Sequence, residues 1–195
     1  MKITVIAIAL CGISAGCHKK SSASMTAEAV PILVERVVVI DQPITEANAT
    51  HAIAQILYLE SQSCTTPITL RINCPGGLAT GGMAILKAMD GIKSEVHTQC
   101  MGQAGGTAAI ILARGKKGFR SAARQTSIGF GTLSLAKPGS SQDIENLAKI
   151  RDEMIQQMAK ASSMTAQESR AALDSKAIFS AEEAVKHGII DRIVE

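Results

Sequence analysis

From residue 34 to the C-terminus, β-branched stretches alternate with stretches of helical periodicity, joined by short connections. Parallel strands need a crossover between them, and a helix supplies it, so this alternation specifies an α/β fold with a largely parallel sheet. Val34 to Ile40 is a β-branched run, ended by Asp41-Gln42-Pro43. Residues 45–61 place Ala49, Ile53, Ile56 and Leu57 at helical spacing, with Thr45 able to cap the start. Ile68 to Asn73 reads as the second strand, stopped by Pro75-Gly76-Gly77. Thr80 to Met89 reads as a helix and Glu95 to Met101 as the third strand. Gly106 to Ala113 is a short, almost wholly apolar helix, which implies burial. Phe119–Ala122 and Ser127–Phe130 read as short strands. Residues 141–161 form a long amphipathic helix with Ile144, Leu147, Ile150, Met154, Ile155 and Met158 on one side. Thr165 opens a helix toward Leu173. Ser180-Ala181-Glu182-Glu183 is a capping box whose helix ends before Gly188, and Ile189 to Val194 reads as a closing strand. One domain over residues 33–195 accounts for the pattern, with no internal repeat.

The first residues do not share it. Met1 to Gly16 carries Lys2 and then an apolar or small-residue run, the form of a secretory signal peptide. Ser14-Ala15-Gly16-Cys17 resembles the lipobox of bacterial lipoproteins, in which the cysteine is acylated and becomes the new N-terminus. Residues 17–32 are polar and small, as a tether between membrane and domain would be. The expectation is an exported, periplasmic or envelope lipoprotein held through Cys17. Aromatic residues are 2% of the chain and the net charge is +3, with no dense basic patch, which argues against a nucleic-acid partner.

Two glycine-rich strand exits are the chemically informative segments. Asn73-Cys74-Pro75-Gly76-Gly77 and Met101-Gly102-Gln103-Ala104-Gly105-Gly106-Thr107 each run from a strand into a helix. Two such exits from neighbouring strands can face each other with free backbone N–H groups and form an oxyanion hole. Gly76, Gly77, Gly106 and Thr107 are the candidates. Neither exit ends in the Gly-Lys-Ser/Thr of a phosphate-binding loop.

Several motifs recur together. They are Ile72-Asn73-Cys74-Pro75-Gly76-Gly77, Gly82-Met83-Ala84-Ile85, Gly102-Gln103-Ala104, Phe179-Ser180-Ala181-Glu182-Glu183-Ala184-Val185 and Gly188-Ile189-Ile190-Asp191. In order and spacing they resemble the proteolytic subunit of the ATP-dependent Clp protease, the ClpP family, over roughly residues 33–194. The resemblance implies a ClpP/crotonase-like spiral of ββα units, a Ser-His-Asp peptidase and stacked heptameric rings. It places the nucleophilic serine at Gly106, the general-base histidine at Gly131 and the aspartate at Lys176, with Asp174 two residues away. A glycine has no side chain with which to attack or to take a proton, so the triad is absent. The resemblance also implies an extended-peptide site at Gly77, Leu78, Thr132 and Leu133.

Substitute groups are few. Cys74 lies beside the proposed hole as an alternative nucleophile, and a Cys74–Cys100 disulfide is an equal alternative in an oxidising compartment. Cys64 is the remaining cysteine of the mature domain. His97 lies on the strand of Cys100 but on its opposite face. Thr107 with Lys176 as base is a further pair. His51 and Glu60 do not share a ligand face, and the spacing offers no metal site or cofactor motif.

The leading functional expectation is therefore an exported pseudo-peptidase of the ClpP type. It would act as an oligomeric scaffold or a peptide-binding module, as a homo-oligomeric ring or a mixed ring with an active paralogue. The alternative is a hydrolase, of the serine-peptidase or crotonase-like type, that uses the surviving oxyanion hole with a non-standard nucleophile such as Cys74. A third reading keeps the chain inside the cell in a protease complex.

Overall fold

The computed structural model describes residues 35–131 and 141–195. The signal and tether segments, Cys17, Thr132 and Leu133 lie outside the described residues. In chain order the elements are β1 (Val37–Ile40), α1 (Glu46–Gln62), β2 (Ile68–Cys74), α2 (Ala79–Asp90), β3 (Val96–Gly105), α3 (Thr107–Ala113), β4 (Arg120–Ala123), β5 (Ser127–Gly129), α4 (Ser141–Ala161), α5 (Ala166–Asp174), β6 (Ile178–Phe179), α6 (Ala181–Lys186) and β7 (Arg192–Val194). The sheet runs β1-β2-β3-β4-β7, with every pair along that path parallel. β5 adds to β3 in parallel, and β6 adds to β5 antiparallel. The α/β architecture expected from the alternation is the one the chain adopts.

Local chemistry accounts for the element ends. Thr45 caps α1: its hydroxyl accepts the Asn48 N–H, and Asn48 Oδ1 accepts the Thr45 N–H at 2.6 Å. Thr165 with Glu168 and Ser180 with Glu183 do the same for α5 and α6. α1 has no basic residue in its last turn. Arg36 fills that role from outside: its guanidinium donates to Leu59 O at 2.6 Å, Ser63 O at 2.9 Å, Thr66 O at 2.8 Å and Pro67 O at 3.1 Å. Arg36 itself takes φ 52° in the turn before β1. The first strand begins at the next residue, Val37, where the sequence expectation was Val34.

Three other boundaries differ from the sequence expectation. β3 continues through Gly102 to Gly105, so that stretch is strand and only Gly106 turns. The glycines there allow close approach of the next strand: a Cβ on Gly102 would lie 2.6 Å from Asn73 Oδ1. β6 was not anticipated, since two residues carry no periodicity. The closing strand is only Arg192–Val194, because the Ile189 N–H is taken by Ala184 O at 2.8 Å, wrapping the end of α6.

The core lies between the sheet and the helices. α3 is buried along its whole length, as its composition required. Met154, Ile155 and Met158 bring the second half of α4 into the same cluster. Arg120 is only 3% exposed. Its guanidinium donates to Ala113 O at 3.0 Å, Ala161 O at 2.7 Å and the Asp191 carboxylate at 2.6 and 2.9 Å. One side chain thereby ties the ends of α3 and α4 to the approach to β7.

The other sheet face is only partly covered by the described residues: Ser121 is buried and Gln99 half-buried there. Val39, Arg71, Gln99, Ser121 and Arg192 stand in one register row across it, and Val39 and Arg71 are exposed. Parallel sheets are ordinarily covered on both faces. No helix among the described residues is long and apolar enough to cross a membrane.

Candidate active site

The C-terminal ends of β2, β3 and β5 meet at one place, where open parallel sheets position their ligands. Pro75-Gly76-Gly77 leaves β2, Gly106 leaves β3, and Gly131 follows β5. A Cβ on Gly106 would lie 3.5 Å from Phe130 O and 3.8 Å from Gly76 Cα. A Cβ on Gly131 would lie 3.4 Å from the Gly106 nitrogen. Gly106 and Gly131, the positions that the resemblance assigns to nucleophile and base, are therefore neighbours across β3 and β5, though neither bears a side chain. Gly106 has φ 53° and ψ −124° at a strand-to-helix turn. This is the strained elbow on which hydrolases display a nucleophile.

Lys176 occupies the third position, exposed and at φ 53°. The next residue is held against β5, because Ala177 O accepts the Phe130 N–H at 3.2 Å. The α5–β6 turn thus reaches the same strand as Gly131, the segment with which the resemblance groups Lys176. The close approach shows at Gly129, where a Cβ would sit 2.6 Å from Ala177 O. Asp174 is engaged elsewhere, in an ion pair with Arg151.

Of the four amides expected to line an oxyanion hole, two are already committed. The Gly106 N–H donates to Gly129 O at 2.8 Å, and the Gly76 N–H to Cys74 Sγ at 3.4 Å. Gly77 forms a parallel bridge with Ile44, in which Ile44 N–H donates to Gly76 O and Leu78 N–H to Ile44 O. That bridge does not use the Gly77 N–H. Thr107 opens α3, where an N–H has no partner inside the helix. Gly77 and Thr107 are the donors these bonds leave over. Leu78, expected to contact a peptide, is buried and spends its N–H on Ile44.

The substitute nucleophiles fare poorly. Cys74 and Cys100 are both free and buried, so they do not form the bridge considered from sequence. Burial pushes the Cys74 thiol up, and that of Cys100 up to about 11. A protonated, enclosed thiol is a weak nucleophile. His97 is not placed to assist it, lying near the opposite end of β3, stacked on Phe119 with ring centroids 4.2 Å apart. Thr107 is 1% exposed, and its Oγ1 occupies the notch at Gly82, where a Cβ would lie 2.1 Å away. Its hydroxyl faces α2, so the Thr107–Lys176 pair does not form.

Gly105 holds the two exits together. A Cβ there would lie 2.0 Å from Pro75 O, a backbone atom that cannot swing aside. Gly105→Ala is expected to destabilise the fold by about 3 kcal/mol, the upper end for overpacking. Urea unfolding checks this, and a change below about 0.5 kcal/mol would show that the exits are not in contact.

Fold and site together define an α/β protein whose largely parallel sheet ends in glycine-rich strand-to-helix turns at one place. The model of the Clp protease family matches residues 20–195, and the chain belongs to that family. The membership expected from the motifs is thus shown.

Proposed function

We propose that this chain is an exported member of the Clp protease family that has no peptidase activity and acts by assembly or by holding extended polypeptide. One observation carries this reading. The nucleophile and base positions are close enough to cooperate, and both are glycine. The mechanism requires a hydroxyl and an imidazole there. A backbone hole formed by Gly77 and Thr107 alone holds a carbonyl without cleaving the bond beside it.

The assembly part rests on two different surfaces. The partly covered sheet face is one. The outer side of α1 is the other, with Leu57 52% and Tyr58 51% exposed. Two unlike patches on one chain favour head-to-tail contacts, which form a ring when the rotation between copies closes. Resemblance to ring-forming relatives supports the same reading, for a homo-oligomer or a mixed ring. Export and acylation at Cys17 rest on the sequence of residues 1–17.

Hydrolysis of short fluorogenic peptides and small esters tests the proposal. The expected result is no turnover above buffer, for the wild type and for Cys74→Ala alike. Turnover abolished by Cys74→Ala would replace this reading with the thiol-hydrolase one. Turnover that survives the substitution would equally overturn it.

A further inference from the structure

β1 is the terminal strand of the sheet among the described residues. Thr69 N–H donates to Arg36 O at 2.9 Å, and Val37 pairs with Thr69. The parallel ladder alternates, so Arg36, Val38 and Ile40 bond inward to β2. The N–H and C=O groups of Val37 and Val39 then face outward, away from the sheet. Edges of this kind are normally guarded by a lysine, a proline or a bulge. The sequence Val37-Val38-Val39-Ile40 has none of these, and Val39 is 40% exposed.

Beside this edge lies a cavity of about 190 Å³. Its apolar lining is Ile44, Ala49, Ala52 and Ile85, with Ile40 from the strand itself. Asp41, Gln42 and Asn48 form the polar part. The two alanines make space on the α1 side, where Asn48 is the one larger lining residue of that helix. Three acids frame the edge: Glu35 before the strand, Asp41 after it and Glu46 in the first turn of α1. All three are exposed, and none makes an ion pair among the described residues.

We propose that the β1 edge is a second peptide-binding site, separate from the glycine-lined one, which takes an extended segment carrying an aliphatic side chain between basic residues. The segment adds as a strand to Val37 and Val39. Its aliphatic side chain enters the cavity over Ala49 and Ala52, and its basic residues face Glu35, Asp41 and Glu46. Backbone bonds supply the pairing, and the cavity and the acids select the sequence.

The probe is a fluorescein-labelled hexapeptide of sequence KVTVIK, read by anisotropy on the full chain. Binding is expected to weaken with added salt. The acidic peptide EVTVIE is expected to bind at least about tenfold more weakly, as opposite charges at the frame predict. Val39→Pro removes an outward N–H without touching the ladder to β2. It is expected to weaken binding about tenfold or more while circular dichroism stays unchanged. Ala52→Leu fills the cavity and is expected to do the same, which keeps the test alive should the proline variant fold poorly. Equal binding by both variants, or no binding of the basic peptide, overturns the proposal. Sedimentation showing an oligomer that Val39→Pro dissociates also overturns it, because the edge would then belong to a second copy of the chain.

Discussion

A chain carrying Gly106→Ser, Gly131→His and Lys176→Asp together is expected to cleave fluorogenic peptides at least about 10³-fold faster than the unmodified chain, a fraction of the roughly 10⁶-fold that an intact triad contributes. The backbone is already set for it. Gly106 stands at φ 53°, ψ −124°, and a Cβ there meets nothing closer than 3.5 Å. A histidine Cβ at Gly131 would approach the Gly106 nitrogen to 3.4 Å, an ordinary contact. Histidine and aspartate both tolerate left-handed backbone better than most residues, and Gly131 and Lys176 each have φ 53°. Gly106→Ser alone is expected to give no gain, because a serine without a base remains a weak nucleophile. Peptide hydrolysis and labelling by a fluorophosphonate probe read the outcome. If the triple variant folds but neither cleaves nor labels, the frame is not that of a peptidase, and the account of the site given above fails with it.

Arg120→Met is expected to destabilise the chain by about 3–5 kcal/mol at neutral pH, the range for breaking a buried, hydrogen-bonded charge pair. The substitution strips donors from Ala113 O and Ala161 O and leaves Asp191 with only the Gly118 and Arg120 backbone N–H groups. The effect has a pH signature. The hydrogen bonds from the Arg120 side chain hold the Asp191 carboxyl below its ordinary value. A carboxyl depressed in the folded state stabilises above its unfolded pKa, and that contribution fades as the pH falls through the folded pKa. The gap between wild type and Arg120→Met should therefore be full at pH 7 and shrink below about pH 4, near the ordinary aspartate value. Urea unfolding at pH 7 and pH 3 measures it. A gap unchanged at pH 3 would mean that the stabilisation comes from packing of the arginine stem and not from its charge.

Periodicity made most of the fold legible. The caps at Thr45 and Ser180 and the burial of Gly106–Ala113 follow from residue chemistry acting within one turn of chain. Motif spacing singled out Gly106 and Gly131, and the two are neighbours in the fold. What escaped notice depends on partners far away in sequence. Gly102 and Gly105 look like turn residues, yet they are strand residues cut back to admit Asn73 and Pro75. Thr107 looks like an available hydroxyl until Gly82, on a different helix, is seen to receive it. The role of Arg36 as a clasp on α1 spans more than twenty residues and leaves no local trace.

β3 is one strand shared between two ladders. Thr98 to Cys100 pair with β4, and Gln103 to Gly105 pair with β5. The register against β2 shifts between the two halves, where Ile72 faces Cys100 and Cys74 faces Ala104. The strand therefore separates two scales of motion. Breathing near Gly106 requires only the three-residue ladder to β5 to loosen, while the β2–β3–β4 centre keeps its bonds. Local opening of this kind lies far below global unfolding in free energy. The exits of β3 and β5 can thus part without unpairing the centre of the sheet.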